Sequence, residues 1–127
     1  MPLSYVGIRV TDLNRSVRFY TEGLGPKESG RGVMDHGGVF VALEDPTTKQ
    51  QLELNWYPNG SPYNTEFVPG DGLDHIGFMV ADARACYREL QKLGATTAIE
   101  PWVERGKFVI GFLKDPDGNW IELQNSL

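Results

Sequence analysis

A segment near the start of this chain returns, with substitutions, about 70 residues later. Leu3-Ser4-Tyr5-Val6-Gly7-Ile8-Arg9-Val10-Thr11-Asp12 is matched by Leu73-Asp74-His75-Ile76-Gly77-Phe78-Met79-Val80-Ala81-Asp82. Leu24-Gly25 is matched by Leu93-Gly94, Asp45-Pro46 by Asp115-Pro116, and Leu52-Glu53-Leu54 by Ile121-Glu122-Leu123. An internal repeat restricts the fold more than any single motif, because whatever the first copy forms the second must form too. Copies of roughly 60 residues are near the lower limit for an independent core. One domain, 1–127, is therefore expected, with module one at 1–56, a connector at 57–72 and module two at 73–127. The two modules are expected to face each other across a pseudo-twofold axis. The repeat fails at one chemically important place: Tyr5 stands where its counterpart is His75.

Hydrophobic periodicity supplies the elements. Val6, Ile8 and Val10 alternate with Tyr5, Gly7 and Arg9, the period of a half-buried strand. Asp12 is placed to cap a helix, with Val17, Tyr20 and Leu24 on its apolar face and Gly25 as its stop. Val39 to Leu43 and Gln51 to Asn55 read as strands about a turn at Asp45-Pro46-Thr47-Thr48. The second copy repeats the order. Strand His75 to Val80 leads to Asp82 as cap, then to a helix with Cys86, Leu90 and Leu93 inward and Gly94 as its stop. Strands follow near Thr96 to Ile99, at Phe108 to Leu113 and at Trp120 to Leu123. The last two flank the turn Asp115-Pro116-Asp117-Gly118. The fold expected is α+β, two βαβββ modules forming a curled mixed-sheet cleft.

Strand parity then decides which side chains share a face. If Leu52 and Leu54 lie under a helix, Gln51, Glu53 and Asn55 point away from it. Ile121 and Leu123 likewise leave Trp120, Glu122 and Gln124 on the far face. Ile76, Phe78 and Val80 leave His75, Gly77 and Met79, and the first strand leaves Tyr5, Gly7 and Arg9. An imidazole, two carboxylates and a phenol are thus expected in one cleft, with Gly7 and Gly77 keeping its floor open.

His75, Glu53 and Glu122 form an N,O,O donor set suited to one divalent transition metal: nickel, cobalt, zinc, iron or manganese. Such an ion can polarise a carbonyl or stabilise an enediolate, and a carboxylate beside it can remove the proton alpha to that carbonyl. Taken singly, a strand histidine or a strand-end glutamate serves packing or solvation as often as chemistry. Tyr5 has three readings: a fourth ligand, a hydrogen-bond donor to a substrate oxygen, or a cleft-filling ring in a metal-free binder. Arg9 either holds an anionic substrate tail or pairs with Glu53. Asn55, Met79 and Trp120 line the expected substrate pocket. His36 reads as a loop histidine, and Trp56 and Tyr63 as a lid or dimer contact. The lone Cys86 fits a reducing, cytoplasmic setting and excludes an intrachain disulfide. A net charge of −5 argues against nucleic acid and anionic membranes as partners. No apolar run reaches the length of a membrane span, and no basic, apolar leader opens the chain.

These motifs resemble the vicinal oxygen chelate superfamily, which groups glyoxalase I, bleomycin-resistance proteins and extradiol dioxygenases. The resemblance rests on Ile8 to Leu13, Ser16 to Tyr20, Leu24-Gly25, Leu52 to Leu54, Asp74 to Phe78 and Asp115 to Leu123. It is closest to short bacterial glyoxalase I, or lactoylglutathione lyase. That resemblance implies a homodimer whose clefts are often completed by both subunits. It implies Glu53, His75 and Glu122 as metal ligands, with Glu122 also the proton-shuttling base. It places the first family ligand, His or Gln, on Tyr5. It gives Arg9 a contact with a glutathione carboxylate, and puts Tyr57 where the family has a glutathione-binding asparagine. The expected activity is proton transfer between adjacent carbons of a small oxo or hydroxy substrate or its thiol adduct, glutathione being the implied cosubstrate. A metal-free, ligand-sequestering protein and a ring-cleaving dioxygenase are the alternatives.

Overall fold

The computed structural model describes residues 1, 3–35, 37–70 and 72–127; His36 lies outside them. The fold is α+β. The first module runs β1 (Val6–Arg9), α1 (Leu13–Leu24), β2 (Lys27–Val33), β3 (Val39–Glu44) and β4 (Gln51–Trp56). The second runs β5 (Ile76–Met79), α2 (Ala83–Lys92), β6 (Thr96–Glu104), β7 (Phe108–Lys114) and β8 (Trp120–Ser126). Each module is a four-stranded sheet, ordered β1-β4-β3-β2 and β5-β8-β7-β6. In each, the first strand lies parallel to the last and the other pairings are antiparallel. Backbone contacts group Met1–Phe67 and Val68–Leu127 as two compact units, so the connector divides between them.

The caps are where the sequence puts them. The Asp12 carboxylate accepts from the Arg15 amide at 3.1 Å, and that of Asp82 from the Ala85 amide at 3.0 Å. Gly25 then ends α1 at a φ of 96°, a left-handed geometry that favours glycine. Tyr20 and Leu90 are buried as expected, while the rest of each buried face differs. Ser16, Phe19 and Tyr20 are buried on α1, while Val17 and Leu24 are half-buried. Ala83, Tyr87 and Leu90 are buried on α2, with Cys86 on the flank. The aromatic rings carry more apolar area than the aliphatic residues beside them, so they take the centre of each helix–sheet contact.

Two strands go beyond the segments that periodicity assigned. Strand β2, Lys-Glu-Ser-Gly-Arg-Gly-Val, has no apolar alternation and is mostly exposed; its ladder with β3 holds it. Strand β6 continues through Pro101 to Glu104 instead of stopping near Ile99. Proline is tolerated there because β6 is an edge strand. Its ring sits 3.0 Å from where a side chain at Gly111 would begin, so a glycine is needed opposite. Among the described residues, no helix is long and apolar enough to cross a membrane.

Candidate functional site

In module two, β7 alternates cleanly: Val109, Gly111 and Leu113 are buried under α2, while Phe108, Ile110, Phe112 and Lys114 face the other way. Registry carries this parity across the sheet. Gly77 pairs with Glu122, and Glu122 with Phe112. Met79 pairs with Gln124, and Trp120 with Lys114. The open face therefore carries Glu122 at its centre, His75 just before β5, and an aromatic wall beyond.

The geometry there is specific. His75 Nδ1 lies 2.6 Å from Asp74 Oδ2, and His75 Nε2 lies 3.2 Å from Glu122 Oε2. An ionised carboxylate only accepts, so Nδ1 carries the proton shared with Asp74. Nε2 then either holds a second proton, giving an imidazolium between two carboxylates, or presents a lone pair to Glu122. Two acceptors facing each other at that distance repel unless a cation lies between them. Two donors 3.2 Å apart are also spaced as neighbouring ligands, each about 2.1 Å from one ion, would be. A carboxylate on the far nitrogen of a ligand histidine orients the ring and raises its basicity. The donor set thus fits a divalent transition metal. Among the described residues, no group of three or more His, Cys, Asp or Glu stands together as a metal cluster.

Apolar groups frame the pair. The Phe112 ring meets His75 edge-on, centroids 5.4 Å apart, and stacks on Trp102 at 6.1 Å. Trp120 packs at 6.0 Å on Phe112, with the Lys114 ammonium over its ring. A pocket of about 320 Å³ opens here, lined by Gly70, Asp74, His75, Ile99, Phe112 and Trp120. Glu122, only 18% exposed, stands beside this apolar wall. Met79, expected in the pocket lining, is 67% exposed on the edge strand and does not line it.

In module one the same parity puts Tyr5, Gly7, Arg9, Glu53 and Asn55 on the open face, since Ile8, Val10 and Leu54 are buried. Glu53 lies between Gly7 and Ala42 in register, half-buried. Tyr5 is 50% exposed, and its ring edge lies near the face of Gly7. The Asn55 amide lies 3.1 Å from where a Gly7 side chain would begin, so the glycine makes room for it. Arg9 does not pair with Glu53. Its guanidinium donates to the Thr65 carbonyl and the Asn64 side-chain oxygen, beneath the Phe67 ring. Tyr63 stacks on Tyr57, centroids 5.5 Å apart, within the connector.

Sequence reasoning did not assign Asp74, Phe112 or Ile99 to the site. Asp74 carried a signal, a carboxylate adjacent to a candidate ligand. Phe112 and Ile99 lie on the open face by parity, but only the β6–β7–β8 pairing sets them beside His75. Cys86, read as core, is half-buried, and burial raises its thiol pKa, consistent with an inert side chain.

Comparison with known proteins follows from this frame. A model of the Glyoxalase/Bleomycin resistance protein/Dioxygenase superfamily matches residues 3–123. A lactoylglutathione lyase of Salmonella typhimurium is 34% identical over 127 residues, which cover 97% of this chain and 91% of that one. Glyoxalase I from Zea mays superposes with a TM-score of 0.78 at 28% identity, over 96% of this chain and 43% of the maize chain. A glyoxalase family protein from Bacillus cereus reaches a TM-score of 0.85 over 100% of this chain and 95% of that one; at 20% identity this bears on the fold alone.

Proposed function

The chain belongs to the glyoxalase/bleomycin resistance protein/dioxygenase superfamily, and from that premise we propose that it is a metal-dependent lyase of the glyoxalase I kind. Its substrate is the adduct of a thiol, such as glutathione, with a 2-oxoaldehyde. The observation that carries this reading is the His75–Glu122 pair, 3.2 Å apart, with Asp74 on the far side of the imidazole. A ligand-sequestering groove has no need of a carboxylate and an oriented imidazole at that spacing.

His75 and Glu122 would hold the ion, and Glu53 is taken as a third ligand from the family resemblance. When bound, a nickel, cobalt, zinc, iron or manganese ion supplies Lewis acidity toward the two adjacent substrate oxygens. Glu122 takes the proton from the carbon bonded to sulfur and returns it to the neighbouring carbon. The hydroxyl carbon becomes the thioester carbonyl, its O–H proton passes to the former carbonyl oxygen, and the former carbonyl carbon becomes the alcohol carbon. No external oxidant or reductant is needed. The aromatic wall beside Glu122 keeps bulk water from the reacting carbons. Tyr5 donates a hydrogen bond to a substrate oxygen, and Trp120 covers the apolar end of the substrate. Arg9 and Asn55 face the polar end. The working assembly is a homodimer.

Elemental analysis of protein purified without chelator tests this directly. A native sample is expected to hold close to one equivalent of transition metal, and His75→Ala far less. A content below about a tenth of an equivalent after reconstitution would overturn the metal reading, since a three-ligand site of this kind binds tightly near neutral pH. Turnover of the methylglyoxal–glutathione adduct, followed as thioester absorbance, then tests the substrate.

A further inference from the structure

The reading above leaves Arg9 with an environment that it does not explain. Three connector groups hold the guanidinium: the Asn64 side-chain oxygen, the Thr65 carbonyl and the Phe67 ring, whose centroid lies 5.7 Å from Cζ. All three are neutral. Among the described residues, the ion pairs do not include Arg9. Two of its five N–H donors are spent on these contacts, which leaves three donors and the full positive charge unspent.

The connector is built to present these acceptors. The Asn64 amide nitrogen donates to the Pro58 carbonyl at 3.1 Å and lies 3.3 Å from the Asn59 side-chain oxygen. That fixes which end of the amide faces Arg9, because the reverse orientation would set NH₂ against a guanidinium. The Ser61 amide donates to the Pro58 carbonyl, the Asn64 amide to the Ser61 carbonyl, and the Tyr57 and Tyr63 rings stack. A folded loop thus holds one side chain of β1 across a separation of 55 residues.

We propose that Asn64 is a positioning residue: it holds Arg9 charged and uncompensated at the place where the family resemblance already has an arginine meet a carboxylate of the thiol carrier. This rests on the open face of module one being a substrate face. A long arginine left free would lose rotamer entropy on gripping an anion. One already ordered by neutral acceptors has met that cost in folding.

The test is equilibrium binding of an S-alkyl glutathione with free carboxylates and of its dicarboxylate ester. The native protein is expected to prefer the acid by about tenfold or more, the range of a charge-assisted pair. Asn64→Ala should shrink that preference by about fivefold or more, with little change in ester affinity. Asn64→Asp should abolish it by a second route, since its own carboxylate would neutralise Arg9. In an Arg9→Ala background, Asn64→Ala should add nothing. Circular dichroism and melting of each variant show whether it folds. Equal affinity of the native protein for acid and ester overturns the proposal, as does a preference that survives both Asn64 variants, or no binding of either probe. Turnover of the thiol adduct without an acid preference leaves the lyase reading standing and removes this one. An acid preference that Asn64→Ala erases, in a protein with no turnover, does the reverse.

Discussion

The two modules share a topology but differ on their open faces. Across the centre of module one run Gly7, Glu53 and Ala42; across that of module two run Gly77, Glu122 and Phe112. One step further, module one has Arg9, Asn55 and Phe40, and module two has Met79, Gln124 and Ile110. The carboxylate is kept at the same register in both. Its surroundings are not. Glu53 lies between Gly7 and Ala42 in register, whereas Glu122 sits beside an imidazole and a stack of aromatic rings. Substitution within one frame has left one half with an arginine among neutral acceptors and the other with an imidazole–carboxylate pair beside aromatic rings.

The largest expected effect tests that division. Glu122→Gln should lower kcat by about 10²–10⁴-fold, the usual contribution of a positioned base. Glu53→Gln should act mainly on metal affinity, by about 10–100-fold, with kcat at saturating metal much less affected. Metal titration and steady-state kinetics on both variants separate the two outcomes. Equal losses of kcat would erase the functional difference between the modules.

A smaller effect is expected from restoring the repeat. Tyr5→His makes the two modules alike at the position that His75 holds in module two. An added imidazole should tighten zinc or nickel by about tenfold or more. Competition with a chromogenic chelator measures this. Unchanged affinity would place position 5 away from the ion and leave Tyr5 a substrate contact only.

How far the sequence reveals this molecule follows from where the information lies. Parity along a strand is local, so the open-face positions of β4, β7 and β8 are legible from alternation alone. Asp12, Gly25 and Asp82 are legible for the same reason, since a cap or a helix stop is a property of one turn. Strand β2 is not, because an edge strand exposed on both sides needs no apolar pattern. The grip of Asn64 on Arg9 is not legible either, since nothing local ties a loop amide to a strand 55 residues away. The aromatic wall lies between these cases: Phe112 is visibly on the open face, but its place beside His75 depends on strand order.

The Asp-Pro turns offer a comparison independent of the site. Asp115 is 2% exposed, and its carboxylate accepts from the amides of Asp117 and Asn119 and from the Asn119 side chain, all within 2.9 Å. Removing it strands two buried donors and one half-buried donor, so Asp115→Ala should cost about 2–3 kcal/mol in urea unfolding.

Asp45 occupies the matching turn in module one, where it accepts from the Thr47 and Thr48 amides at 2.8 and 2.9 Å in an exposed setting. Hydrogen bonding to the Thr48 and Thr47 amides holds its pKa below the ordinary 3.8. A carboxyl whose folded pKa is depressed stabilises the fold above its ordinary pKa, and that contribution disappears as pH falls through the lowered value. Asp45→Asn keeps an acceptor oxygen but loses the charge. The variant should therefore melt slightly below the native protein near neutral pH, and the difference should close below about pH 4. Melting curves between pH 7 and pH 2.5 measure this. A gap that persists unchanged into acid would mean that the module-one turn depends on shape rather than on charge, and that its resemblance to the buried Asp115 turn is one of geometry only.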